Sequence, residues 1–189
     1  MRIAGTGSAL PRRVMDNRAF ERFLDTSDEW IRSRTGIHQR HIAEDGETTA
    51  ALGVTASYNA LADAGLEPAE VDLILCATIT PECPFPATAC FIQESLGVHD
   101  VPAFDISAAC SGFIYGLVIS AGLVHAGLYR RILLVGSENM TRFTDFQDRG
   151  SCILFGDGAG AAVLTADQAG RARLVHSRLH ADGSTIPLL

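Results

Sequence analysis

Lysine is absent from the 189-residue chain; all 15 basic residues are arginine. No Schiff-base lysine, P-loop lysine or Ser-Lys pair can therefore operate within it. No basic run exceeds two residues and the formal net charge is -7, which argues against a nucleic-acid footprint. No Cys-x-x-Cys occurs. The five cysteines, at 76, 83, 90, 110 and 152, are odd in number in a chain too large for a disulfide scaffold. Free thiols in a reducing compartment are the expectation. Cys76, Cys83 and Cys90 recur every seven residues but read as strand, loop and helix, so they share no face and no metal is expected. His38 and His41 have no nearby partners to complete a metal site. The N-terminus lacks the charged region and apolar core of a secretory signal, so the cytoplasm is the expected location.

What is present centres on DISAACSGFIYGLVISAGLVHAGLYRR, from Asp105 to Arg131. Its long uncharged run invites a transmembrane reading. Gly112, Gly116, Gly122 and Gly127 interrupt it, and strand-like VPAFDI and ILLVGSEN bracket it. Strand, helix, strand at these lengths is a βαβ crossover with a helix buried between layers. Arg130 and Arg131 are expected at the helix C-terminus, where positive charge suits the dipole. Cys110 falls where strand becomes helix, among Ser107, Ala108, Ala109, Ser111 and Gly112. A helix N-terminus favours thiolate, and its N–H groups can hold an oxyanion. A small buried thiol is the competing reading.

Elsewhere RIAG reads as a strand followed by a loop, TGSALPRR. NRAFERFL reads as a helix capped by Asp16 or Asn17, and a second helix starts at Thr26 or Ser27. Trp30, the only tryptophan, is a core aromatic or, beside Arg32 and Arg34, a platform for a flat phosphorylated ligand. Thr48 to Ala64 reads as an amphipathic helix closed by Gly65. LILCAT is a buried strand, PECPFP a loop carrying Phe85, and Ala87 to Leu96 a helix. Thr141 to Ser151 is a surface excursion. FGDGAGAAVL lacks the helix that a dinucleotide fingerprint requires and reads as a turn entering a strand. A last strand, ARLVHSRLHA, would put His176 and His180 on one face. The order gives one layered α/β unit with a mixed sheet.

TSDEWIRSRTGI, PFPATAC, DISAACSGFIYGL, the DRG of Asp148 to Gly150, and FGDGAGAAVL occur together in this order. The set resembles the β-ketoacyl-acyl-carrier-protein synthase III family from about Ile3 to Gly183. The resemblance implies a thiolase-like α/β fold, with residues 1–189 as an N-terminal half: a mixed five-stranded sheet and a buried nucleophile helix. The C-terminal half would lie outside this sequence. It implies acyl transfer in fatty-acid initiation, in which Cys110 accepts an acyl group from acyl-CoA for decarboxylative condensation with malonyl-acyl-carrier protein. Trp30 and Arg149 would sandwich the CoA adenine, Thr26 would hydrogen-bond it, and Arg34 would approach a CoA phosphate. Phe85 would line a partner's acyl pocket across a dimer interface. Acyl-CoA is a substrate and no resident cofactor is implied. The family's histidine and asparagine, which stabilise charge on the decarboxylating malonyl group, have no matching motif here. They would come from a complementing C-terminal half. Another thiolase-fold enzyme with a cysteine nucleophile, or a non-catalytic half-subunit pairing with a complete synthase, is the alternative.

Overall fold

Two buried strands with apolar side chains on both faces set the architecture: β4 (Leu73–Ala77) and β6 (Arg131–Asn139). Strands of this kind need a layer on each side. The computed structural model describes residues 1–166 and 172–188. It places β4 and β6 inside a six-stranded sheet with β1 (Arg2–Ala9), β5 (Ala103–Ile106), β7 (Asp157–Thr165) and β8 (Ala172–Arg173), in the order β5-β4-β6-β7-β1-β8. β5, β4 and β6 are parallel; β6, β7, β1 and β8 pair antiparallel. The sheet is mixed, as expected, with six strands instead of five. β2 (Arg13–Asp16) and β3 (Gln39–Ile42) form a separate antiparallel ribbon.

Helices α3 (Thr49–Ala64) and α4 (Thr88–Ser95) cover one face, packing Ala56, Ala60 and Ile92 with Ile74, Cys76, Leu133 and Val135. Helix α5 (Gly112–His125) covers the other, against Leu73, Leu75, Ile132 and Leu134. This alternation is the period-two rule of a strand. Truncating one of these fully buried leucines to alanine removes ~2–5 kcal/mol.

Local signals fix the helix ends. Thr48 Oγ1 accepts the Ala51 N–H at 3.2 Å, and Gly65 closes α3 at φ 66°. Asp105 on β5 caps α4 from a distance, accepting the Thr88 and Ala89 N–H groups at 2.7 and 2.8 Å. Two short helices lead in: α1 (Asn17–Phe20) and α2 (Asp28–Thr35). The first is a single turn capped by Asp16, not the longer NRAFERFL helix. Phe20 is driven into a cluster with Ile31, Cys152 and Ile153, while Phe23 stays half exposed.

Several expectations are corrected. β1 continues through TGSA because Gly5 and Gly7 lie against the backbone of α3, where any Cβ would collide with Ala56, Ala60 and Ala64. The proposed last strand shrinks to Ala172–Arg173; 174–182 are irregular, so His176 and His180 share no strand face. Arg130 and Arg131 do not end α5. Their N–H groups are held by the Asp72 carboxylate at 2.8 and 3.0 Å, and Arg131 opens β6. Helix α5, expected to be buried all round, is buried along one stripe only, Gly112, Gly116 and Ser120. Gly116 lets α5 press onto Leu134. The opposite side, with Ile114 52% exposed, faces outward, because the sheet covers only one side of α5. Among the described residues, no helix is long and apolar enough to cross a membrane.

Candidate active site

The parallel strands β5, β4 and β6 all end at the same edge of the sheet, where open α/β sheets generally bind ligands. β5 leaves that edge through Ser107 and Ala108 into one 3-10 turn, Ala109–Ser111, from which α5 starts at Gly112. Ala109 holds φ 45°. A residue with a Cβ is strained there by roughly 1–2 kcal/mol. The Ser111 N–H bonds Ala108 O at 3.1 Å and the Gly112 N–H bonds Ala109 O, which tightens the turn. Gly112 sits so close to the end of β4 that an added Cβ would lie 3.1 Å from Ala77 Cβ.

This turn presents Cys110 to solvent, the only exposed thiol among the five. Cys76 is fully buried, and burial first, then the charges of Asp105, Glu138 and Glu82, push its thiol well above the ordinary range. Burial, and next Asp148, raise that of Cys152. Cys83 and Cys90 are half-buried and point their sulfurs at the carbonyls of Pro86 and Ala103. Cys110 borders a mainly apolar cleft of about 210 Å³ whose walls include Ile79, Phe113, Met140 and Phe155, with Glu138 at its side. A wider cleft of about 550 Å³, bounded by Glu44, Asp45, Glu82 and Arg142, has no cysteine in its lining.

The second cluster forms around Trp30. Ser27 Oγ caps α2 by accepting the Trp30 N–H at 3.1 Å, which fixes the start of the helix. The Arg149 guanidinium lies 3.9 Å from the indole centroid and that of Arg34 lies 4.4 Å away. Arg149 is held on a turn organised by Asp148, whose carboxylate accepts the Ser151 hydroxyl and, at 2.9 Å, the Gly150 N–H. Those bonds, led by Ser151, hold the Asp148 carboxyl below its usual range. Thr26 precedes α2 with a buried Oγ1 that has no hydrogen-bond partner. Trp30, Arg34 and Arg149 are thus brought together, with Arg34 resting on the indole. Phe85 is 87% exposed on the loop before α4 and lies outside the Cys110 cleft. His176 and His180 also lie outside that cleft. The left-handed backbone of Ala109 and the role of Glu138 were not foreseen from the sequence; for Glu138 the one signal was a lone carboxylate near the end of a buried strand.

A mixed sheet covered by helices on both faces, with a cysteine on the turn between strand and helix, is the arrangement expected of a thiolase-like fold, and solved structures of that fold match it. The crystal structure of 3-oxoacyl-[acyl-carrier-protein] synthase III from Aquifex aeolicus matches with TM-score 0.86 and 48% identity, covering 88% of this chain and 54% of that one. The corresponding synthase structure from Thermus thermophilus matches with TM-score 0.89 and 39% identity, covering 99% and 58%. Residues 104–183 match the family model described as 3-oxoacyl-[acyl-carrier-protein (ACP)] synthase III. The β-ketoacyl-[acyl-carrier-protein] synthase III of Xanthomonas campestris pv. campestris is 50% identical over 188 residues, which is 100% of this chain and 57% of that relative. Across its whole length the chain is similar to β-ketoacyl-acyl-carrier-protein synthases III. It spans a little over half the length of the relatives it matches.

Proposed function

We propose that this chain carries the acyl-accepting centre of a β-ketoacyl-acyl-carrier-protein synthase III. The observation behind this reading is the exposed Cys110 on a strained turn beside an apolar cleft. In the proposed step the Cys110 sulfur, having lost its proton, attacks the thioester carbonyl of acyl-CoA. The carbonyl oxygen takes the negative charge. With the Ser111 and Gly112 N–H groups committed to the turn, the Cys110 N–H is the candidate donor to that oxyanion. Collapse breaks the bond to the CoA sulfur, and CoA leaves with a proton, so the acyl group is held as a thioester on Cys110. No resident cofactor takes part.

In this reading the CoA adenine slides between Trp30 and Arg149, and the unpartnered Thr26 hydroxyl bonds it. Arg34 leaves the indole for a CoA phosphate. Separating the guanidinium from the ring is the cost of binding, offset by stacking of adenine on both. Phe85 reaches the acyl pocket of a second copy in a homodimer. Malonyl-acyl-carrier protein then loses carbon dioxide and condenses with the acyl group. That step uses a histidine and an asparagine from a C-terminal half beyond these residues. The five free thiols suit the reducing cytoplasm.

Treatment with acetyl-CoA followed by peptide mapping tests the first step. One acyl group on Cys110 is expected; acylation of Cys83 or Cys90 with none on Cys110 would overturn the assignment. With malonyl-acyl-carrier protein added, residues 1–189 alone are expected to give no ketoacyl product, and a product would locate the second step within this chain. Trp30→Ala is expected to weaken CoA binding by roughly 1–3 kcal/mol, the scale of base–aromatic stacking. Calorimetric titration reads that loss. Tryptophan emission in the wild type should shift on CoA addition, since Trp30 is the only indole.

A further inference from the structure

Glu138 is the penultimate residue of β6 and borders the same cleft as Cys110. Its carboxylate accepts the Ile79 N–H at 2.9 Å through Oε1. Through Oε2 it accepts the Thr80 hydroxyl at 2.6 Å and, at longer range, the Thr78 hydroxyl at 3.4 Å. The network extends on both sides. Thr80 Oγ1 accepts the Asn139 N–H at 2.8 Å, Thr78 Oγ1 accepts the Thr80 N–H at 3.1 Å, and Thr49 Oγ1 donates to Thr80 O at 2.6 Å. Thr78 and Thr80 are buried at 6% and 1% exposure. Ile79 between them faces the other way, 42% exposed, and forms part of the cleft wall.

The role of this carboxylate lies in its bonds. Charge-assisted hydrogen bonds to an N–H and a hydroxyl are about twice as strong as neutral ones, and here they converge on one short segment.

We propose that Glu138 is a positioning residue for acyl selection: it pins residues 78–80 to the end of β6, and so sets how far Ile79 projects into the cleft beside Cys110. This rests on the reading that Cys110 carries the acyl group. Glu138 transfers no proton in this role and leaves the thiol itself unchanged. Its loss lets the Ile79 wall yield, so long chains gain relative to short ones.

Two readouts separate this proposal from the reading beneath it. The first is labelling of Cys110 by N-methylmaleimide and N-hexylmaleimide, followed by peptide mass, which needs no acyl-CoA activity. Glu138→Gln is expected to raise the hexyl-to-methyl rate ratio by about fivefold or more, a size typical of coupling between contacting residues. Any effect of the lost charge on the sulfur acts on both maleimide rates alike and cancels in the ratio. Ile79→Ala should shift the ratio likewise, and adding Glu138→Gln to it should change nothing further. The second readout is acyl transfer from acetyl-CoA and hexanoyl-CoA, which should shift in the same sense. Equal changes in both maleimide rates, an unchanged ratio in a folded variant, or additivity with Ile79→Ala would overturn the proposal. If the maleimide ratio shifts while no acyl-CoA acylates Cys110, the positioning role stands and the acyl-transfer reading falls. Should Glu138→Gln fail to fold, Thr80→Val removes the principal hydroxyl partner at nearly constant volume and is held to the same outcomes.

Discussion

Replacing Cys110 with serine is expected to end acyl transfer, lowering acylation from acyl-CoA by about a thousandfold or more, as losses of a covalent nucleophile do. A serine hydroxyl at the same place is far less ionised than a thiol, and none of the cleft's lining residues is a histidine that could act as its base. The measurement is unusually clean in this chain. With no lysine, the N-terminal amine is the only amine that can hold a stable acyl amide. A mass gain that hydroxylamine removes therefore reports a thioester, and peptide mapping assigns it. Cys76 and Cys152 should stay unlabelled in the folded protein, being buried with their thiols pushed up. Acylation of the serine variant at the wild-type rate would move the nucleophile elsewhere.

Arg40→Ala is expected to destabilise the fold by about 3 kcal/mol, through the loss of its donors to the carbonyl-type oxygens of Met15, Asn17 and Ile153 and a cavity left behind. Arg40 is 6% exposed. Its guanidinium donates to Asn17 Oδ1 and to Ile153 O, each at 2.8 Å, and lies 4.6 Å from the centre of the Phe20 ring. Burial pulls its pKa down, with Cys152 and the Asp16 carboxylate opposing. Those bonds tie β3 to α1 and to the segment that follows Arg149. Arg40→Lys should not restore stability, because an ammonium cannot reproduce the fork. Urea unfolding should show a lower midpoint at an unchanged slope. A midpoint equal to wild type would mean that the surrounding cluster holds without the guanidinium.

The helices whose ends rest on neighbouring residues were readable in the sequence. Thr48 and Gly65 bound α3, Ser27 starts α2, and the apolar run after Cys110 is α5. Features that depend on distant partners were not. β1 continues through Gly5 and Gly7 because α3 leaves no room for side chains, which the sequence of β1 alone cannot say. The alternation in ARLVHSRLHA has the strand period, yet only Ala172 and Arg173 find a partner, at Ile3 and Arg2. In the candidate site, the placement of Cys110 followed from the elements that flank it. The meeting of Trp30 with Arg149 followed only from the family resemblance, since no local rule joins residues so far apart. Glu138 was missed because its bonds run to another strand's exit, where sequence periodicity is silent.

The backbone at Ala109 has a thermal consequence. A left-handed alanine keeps its shape only while β5 and α5 clamp it from both ends, and released from the clamp it relaxes to ordinary angles. Local segments can open at lower free energy than core strands. The turn is therefore expected to yield on warming before the sheet does, seen as Cys110 acylation failing at a temperature below the far-ultraviolet melting midpoint.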